Sequence, residues 1–312
     1  MTPLLEAAEE WGIAVDQPLD PPKDCFWDVN GTTLHALDWG REGKPPMICL
    51  HGVGQQAHTW DFFALSMRRH FHLRALDLRG HGDSAWAADH DYTRPTMATD
   101  LHALVEDELR LPPFVLVGLS MGGLTALTFA GRWPTLIKAL VVVDIGPQIL
   151  PKGVENLRQF MAAPDIFEDV ETLVERAHRF NPRRPKHQLR TSLMHNLRQR
   201  EDGRWTWKYD PFFRQPPTEE DLRRFHPETL WADIDAVTAP TLIVRGAESD
   251  MLSQEAADTL AAHLPHAETA IVPRAGHSVM GDNPIGFEEA VASWLKRTLT
   301  QSPVSLYDKE RA

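Results

Sequence analysis

The chain has 312 residues, 42% hydrophobic, with ten tryptophans and a formal net charge of −12, enough apolar material for one large α/β core carrying an insertion. That acidity excludes nucleic acid and anionic membranes as main partners, since both require a basic footprint. Two cysteines, Cys25 and Cys49, cannot build a disulfide framework and read as buried thiols. With an acidic N-terminal segment and no apolar run long enough to cross a bilayer, they lead to the expectation of a cytoplasmic protein.

In chain order, an acidic leader with helical character and a proline-rich stretch from Pro18 to Pro22 precede a segment, Phe26 to Leu37, that predicts a hairpin turning at Asn30-Gly31. Met47 to Leu50 is a continuous apolar run, as in a strand buried on both faces, and it leads into the glycine loop His51-Gly52-Val53-Gly54. Trp60 to Arg69 reads as helix and Leu73 to Asp77 as strand. In the glycine-rich turn that follows, His81 and Asp83 are expected to bond to local backbone rather than act as a catalytic pair. A helical period from Thr96 ends near Leu111, before Pro112-Pro113.

The next stretch, Phe114-Val115-Leu116-Val117-Gly118-Leu119-Ser120-Met121-Gly122-Gly123, organises the rest. A β-branched apolar run breaks at glycine, presents one serine and passes into a helical pattern, so Gly-x-Ser-x-Gly sits in the strand-turn-helix setting of a nucleophile elbow. A serine on so sharp a turn is held at strained backbone angles, and small neighbours avoid collision with the adjoining strand and helix. The Met121 amide then lies at a helix N-terminus, where it can stabilise a developing oxyanion.

Ala139 to Ile145 is a further buried strand, stopped by Gly146-Pro147. Between Leu150 and Trp231 charges and aromatics interleave, helical patterns recur and no strand is evident, which predicts an inserted helical cap. Its basic run Arg183-Arg184-Pro185-Lys186 reads as a solvated helix start, with anion binding as the alternative. Its aromatics Trp205, Trp207, Tyr209, Phe212 and Phe213 either line an apolar pocket or pin the cap to the core. Strands at Thr241 to Gly246 and Thr269 to Val272, and an amphipathic helix from Asn283 to Leu295, complete the core. The expected organisation is core over 1–149, cap over 150–232, core over 233–300 and a loose tail over 301–312. The fold class is α/β, a mostly parallel central sheet flanked by helices, with ligands at the carboxyl ends of the strands.

A serine nucleophile needs a base within reach and an acceptor to orient that base. His277 follows the last strand and Asp250 the strand before it; among 15 histidines, position rather than residue type carries the choice. Asp144, which also ends a strand, is the rival acid, and Asp250 is preferred. Clustered metal ligands of the usual spacing are absent from the sequence, so neither a metal nor an organic cofactor is expected.

Through His51-Gly52, the run from Asp77 to Ser84, Gly118 to Gly123, Arg245 to Asp250 and Gly276-His277, the chain resembles the α/β-hydrolase superfamily, in its capped esterase and carbon-carbon hydrolase branch. The resemblance implies hydrolysis of a small to medium, partly apolar ester through an acyl-enzyme. Ser120 would attack, His277 would serve as base with Asp250 as its acid, and the Val53 and Met121 amides would hold the oxyanion. Gly52, Trp60, Ile145, Trp207, Met251 and Val279 are the expected substrate contacts. Haloalkane dehalogenases and epoxide hydrolases carry aspartate where Ser120 stands. Ring-fission diketone hydrolases commonly carry tryptophan after the catalytic histidine, where this chain has Ser278. Carbon-carbon, lactone or thioester hydrolysis, cofactor-free perhydrolysis and a non-enzymatic ligand receptor on the same scaffold stay open, as does a homodimer.

Overall fold

Every residue of the elbow strand Phe114–Leu119 is buried, and it divides its side chains by parity. Phe114 and Leu116 join one apolar cluster, while Val115, Val117 and Leu119 join another on the opposite face. A strand can be apolar on both sides only where both sides are covered. Met97, Leu101, Leu127 and Ile234 cover the first face from helices Arg94–Ala103, Met121–Arg132 and Pro227–Asp235. Phe63, Phe287, Val291 and Trp294 cover the second from Asp61–Met67 and Pro284–Thr300. Each such buried side chain stabilises the fold by about 1.5–3 kcal/mol relative to an exposed one.

The fold is that of a computed structural model, which describes residues 2–15, 20–162, 165–215 and 227–300. Its strands are β1 (Lys23–Val29), β2 (Thr32–Asp38), β3 (Pro46–Leu50), β4 (His72–Asp77), β5 (Phe114–Leu119), β6 (Ile137–Val143), β7 (Ile166–Phe167), β8 (Leu197–Gln199), β9 (Trp205–Trp207), β10 (Thr241–Gly246) and β11 (Ala267–Val272). Eight of them form one sheet in the order β1-β2-β4-β3-β5-β6-β10-β11. β2 is antiparallel to β1 and β4, and every other pair is parallel. The sheet is mostly parallel and flanked by helices, as expected, with the elbow strand near the middle. The expected hairpin closes at Asn30 and Gly31, whose φ angles of 48° and 75° suit a two-residue type I′ turn. Among the described residues no helix is long and apolar enough to cross a membrane. Cys25 and Cys49 are free, and burial pushes the Cys49 thiol well up.

Between β6 and β10 the chain leaves the sheet. Helices Pro151–Ala162, Val170–Phe180 and Lys186–Asn196 build an insert around a cluster that includes Leu173, Val174, Leu193 and Trp207. The insert is not purely helical as expected: β7, β9 and β8 form a small antiparallel sheet. Strands of two or three residues are too short for an alternation to register in the sequence. The expected tail over 301–312, and Pro18-Leu19 of the proline-rich stretch, lie outside the described residues.

Candidate active site

Ser120 stands at the tip between β5 and helix Met121–Arg132 with φ 52° and ψ −118°, a left-handed backbone that non-glycine residues rarely adopt. The turn is held because the Ser120 amide donates to the Val143 carbonyl at 3.1 Å and the Gly122 amide to the His51 carbonyl at 3.1 Å. So close is this packing that a side chain at Gly118 would strike the Gly122 carbonyl, and one at Gly122 would strike the carbonyls of Leu50 and His51. Ser120 is 6% exposed and opens onto a cavity of about 600 Å³ between the strand ends and the insert.

His277, in the loop after β11, lines the same cavity, and its Nδ1 lies 2.9 Å from Asp144 Oδ2. Asp144 is fully buried at the end of β6. Its Oδ1 accepts from the Gly246 amide at 3.0 Å, and its Oδ2 accepts from Ser249 Oγ at 2.5 Å. A carboxylate only accepts, so His277 donates its Nδ1 proton and keeps Nε2 as the acceptor. Asp250, the preferred acid of the sequence reading, is not the partner of His277. Its Oδ2 accepts from Asn156 Nδ2 of the insert at 2.6 Å. After β10 the loop turns Ser249 inward against Asp144, and the next side chain faces the insert.

The loop after β3 is fixed from behind. The Gly52 amide donates to Gln55 Oε1 at 3.1 Å, and the Gln55 amide returns to the Gly52 carbonyl at 3.2 Å. His51 Nε2 accepts from the Leu78 amide at 3.0 Å, so its Nδ1 donates to the Gly52 carbonyl at 2.8 Å, which fixes a neutral tautomer. Burial lowers the His51 pKa accordingly. Neither the Val53 nor the Met121 amide donates to any described residue. As expected, His81 is structural: its Nδ1 reaches the Arg79 carbonyl at 3.1 Å, and burial, then the neighbouring His51, push its pKa down to about 3. The Asp83 amide bonds to Asp77 Oδ2 at 2.8 Å, while its carboxylate pairs with Lys208 of the insert at 2.7 Å.

Of the six expected substrate contacts, Gly52, Trp207 and Met251 line the cavity. Trp60, Ile145 and Val279 do not. Trp60 packs against Phe63 and Phe287, Ile145 sits under Gly123, and Val279 is fully buried in the same cluster as Trp60. Each of the three stands beside a site loop with its side chain turned into the core, an orientation that position in the sequence does not report. Both readings of the insert's aromatics hold for different members. Trp207 and Tyr209 face the cavity, while Phe212 and Phe213 pack on Tyr92 and so pin insert to core. The basic run is not simply solvated: Arg183 pairs with Glu248 at 2.7 Å, and burial lowers the pKa of Arg184, which lines the cavity.

The chain was compared with known proteins. A family model described as alpha/beta hydrolase fold matches residues 45–284. The esterase Rv0045c of Mycobacterium tuberculosis is 33% identical over 296 residues, covering 92% of this chain and 93% of that one. Its crystal structure superposes with a TM-score of 0.75 at 32% identity, over 94% of this chain and 96% of the other. A 3-hydroxybutyrate-oligomer hydrolase of Cupriavidus necator is 27% identical over 269 residues, covering 80% and 89% of the two chains.

Proposed function

The chain belongs to the alpha/beta hydrolase fold family, and from that premise we propose that it is a serine esterase cleaving a carboxylic ester on Ser120, His277 and Asp144. The observation that carries the reading is the Asp144–His277 hydrogen bond of 2.9 Å beside a cavity that also exposes the elbow serine. The names of the relatives, an esterase and an oligomer hydrolase, agree with it.

His277 Nε2 takes the Ser120 proton as the hydroxyl oxygen bonds to the ester carbonyl carbon. Asp144 holds the ring in the required tautomer and stabilises the imidazolium that forms. The Val53 and Met121 amides, which have no other acceptor among the described residues, bind the oxyanion; losing one such donor costs about 3 kcal/mol of transition-state stabilisation. The imidazolium returns its proton to the departing alcohol, leaving an acyl-serine. Water then repeats the attack with the same base, and the acid leaves. A cavity of about 600 Å³, partly walled by Leu157, Phe160, Met161 and Trp207, suits a small to medium acyl group with an apolar portion.

The test is turnover of p-nitrophenyl esters from acetate to dodecanoate by wild type and Ser120→Ala. Wild type should turn over the shorter esters, and Ser120→Ala should lose at least about 10⁴-fold in kcat while remaining folded. Turnover retained by the variant would overturn the reading.

A further inference from the structure

A second group of side chains gathers on the wall of the same cavity. His58 lies in the short turn Ala57–Trp60, Asp61 opens helix Asp61–Met67, and His195 stands near the end of Lys186–Asn196 in the insert. The two imidazoles stack with centroids 3.7 Å apart and planes at 21°. Asp61 Oδ2 accepts from His58 Nδ1 at 2.9 Å, whereas Asp61 Oδ1 is buried with no hydrogen-bond partner among the described residues. One ligand atom from each residue lies within 4.8 Å of the other two. Stacking alone would account for the rings as a pin between insert and core. It leaves unexplained why a carboxylate only 7% exposed keeps one oxygen without a hydrogen-bond partner among the described residues.

We infer that His58, Asp61 and His195 form a site for a divalent first-row transition ion of the zinc type, shared between core and insert. Two imidazole nitrogens and a carboxylate oxygen are a donor set such ions accept, with a fourth position left to water. Bonds of about 2.1 Å place tetrahedral ligands about 3.4 Å apart, and the three ligand atoms here lie within 4.8 Å of one another, a spread that a modest contraction brings to coordination distance. His195 rides on a different element from the other two, so a small shift of the insert supplies that contraction. A bound ion therefore ties the insert down over Ser120 and lowers ester turnover. This last consequence rests on the esterase reading above; ion binding does not.

Cobalt(II), whose visible absorption reports its coordination, is the probe, added to the full chain after dialysis against a chelator. The expected result is saturable binding of one ion, displaced by zinc, with affinity weakened at least about tenfold in His195→Gln and in Asp61→Asn. His187→Gln, whose ring pairs with Glu10 at 2.8 Å elsewhere on the insert, and His277→Ala should bind as wild type does. If His195→Gln does not fold, Asp61→Asn alone decides. No saturable band, a band unchanged in both cluster variants, or a band lost in His277→Ala would each overturn the site. In a parallel assay zinc should inhibit p-nitrophenyl ester turnover, with a midpoint at least about tenfold higher in Asp61→Asn.

Discussion

Asp144→Asn alters the charge at the end of β6 and almost nothing of its shape. The Gly246 amide donates to Oδ1 at 3.0 Å, so the asparagine oxygen belongs there. Its NH2 then takes the place of Oδ2, facing Ser249 Oγ at 2.5 Å and His277 Nδ1 at 2.9 Å. An NH2 group only donates. Ser249 Oγ already accepts from the Met251 and Leu252 amides at 3.1 Å, and His277 must accept at Nδ1 and carry its proton on Nε2, the nitrogen that has to take the proton from Ser120. The wrong tautomer, with no counter-charge for the imidazolium, should lower kcat by about 10⁴-fold, or about 5.5 kcal/mol. Asp250→Asn changes a bond of 2.6 Å to Asn156 but removes no partner of His277 and could reach Asp144 only by way of Ser249, so its loss should stay below about tenfold. Initial rates on p-nitrophenyl butyrate, with thermal melts by circular dichroism to show that each variant is folded, make the comparison. Severe loss in Asp250→Asn beside near-normal turnover in Asp144→Asn would refute the reasoning.

Acid stability should depend on His81. Folding holds its pKa at about 3 against about 6.5 in an unfolded chain, so unfolding takes up a proton below pH 6.5, and this contribution is full above that pH and shrinks as pH falls. At pH 5 it amounts to a loss of about 2 kcal/mol, so urea unfolding of His81→Phe should show a smaller drop between pH 7.5 and 5 than wild type, and an equal drop would contradict the linkage. Arg79 donates to both carboxylate oxygens of Asp100 within the core, at 2.5 and 2.8 Å. Arg79→Met should cost about 3–5 kcal/mol by stranding that charge, and Arg79→Met with Asp100→Leu should recover most of it; a double variant no more stable than the single one would count against the argument.

Much of the architecture was legible because it rests on local signals. Apolar runs at β3, β5 and β6 read as doubly buried strands, Asn30-Gly31 marked a hairpin, and the glycines around Ser120 marked the elbow. The acid was not, since Asp144 and Asp250 both end strands and only the rotation of the loop after β10 decides which faces His277. The available signal was that Asp144 closes the strand beside the elbow strand, where few residues separate it from the serine in space. Trp60 and Val279 misled because an apolar residue beside a site loop serves core or pocket equally well in one dimension. His58 and His195 meet only because the insert folds back over the core, so no spacing along the chain reveals them.

Ser249 and Asp250 are consecutive, yet they answer to different parts of the molecule. One peptide unit separates the hydroxyl that grips Asp144 from the carboxylate that grips Asn156, and a side chain at Gly153, three residues before Asn156, would collide with the Asp250 backbone. The helix Pro151–Ala162 therefore cannot tilt away from the core without either giving up that grip or dragging the neighbour of Ser249 with it. The wall of the cavity and the buried carboxylate that holds the imidazole are joined through a single covalent link, so a displacement of that wall reaches Asp144 by way of Ser249.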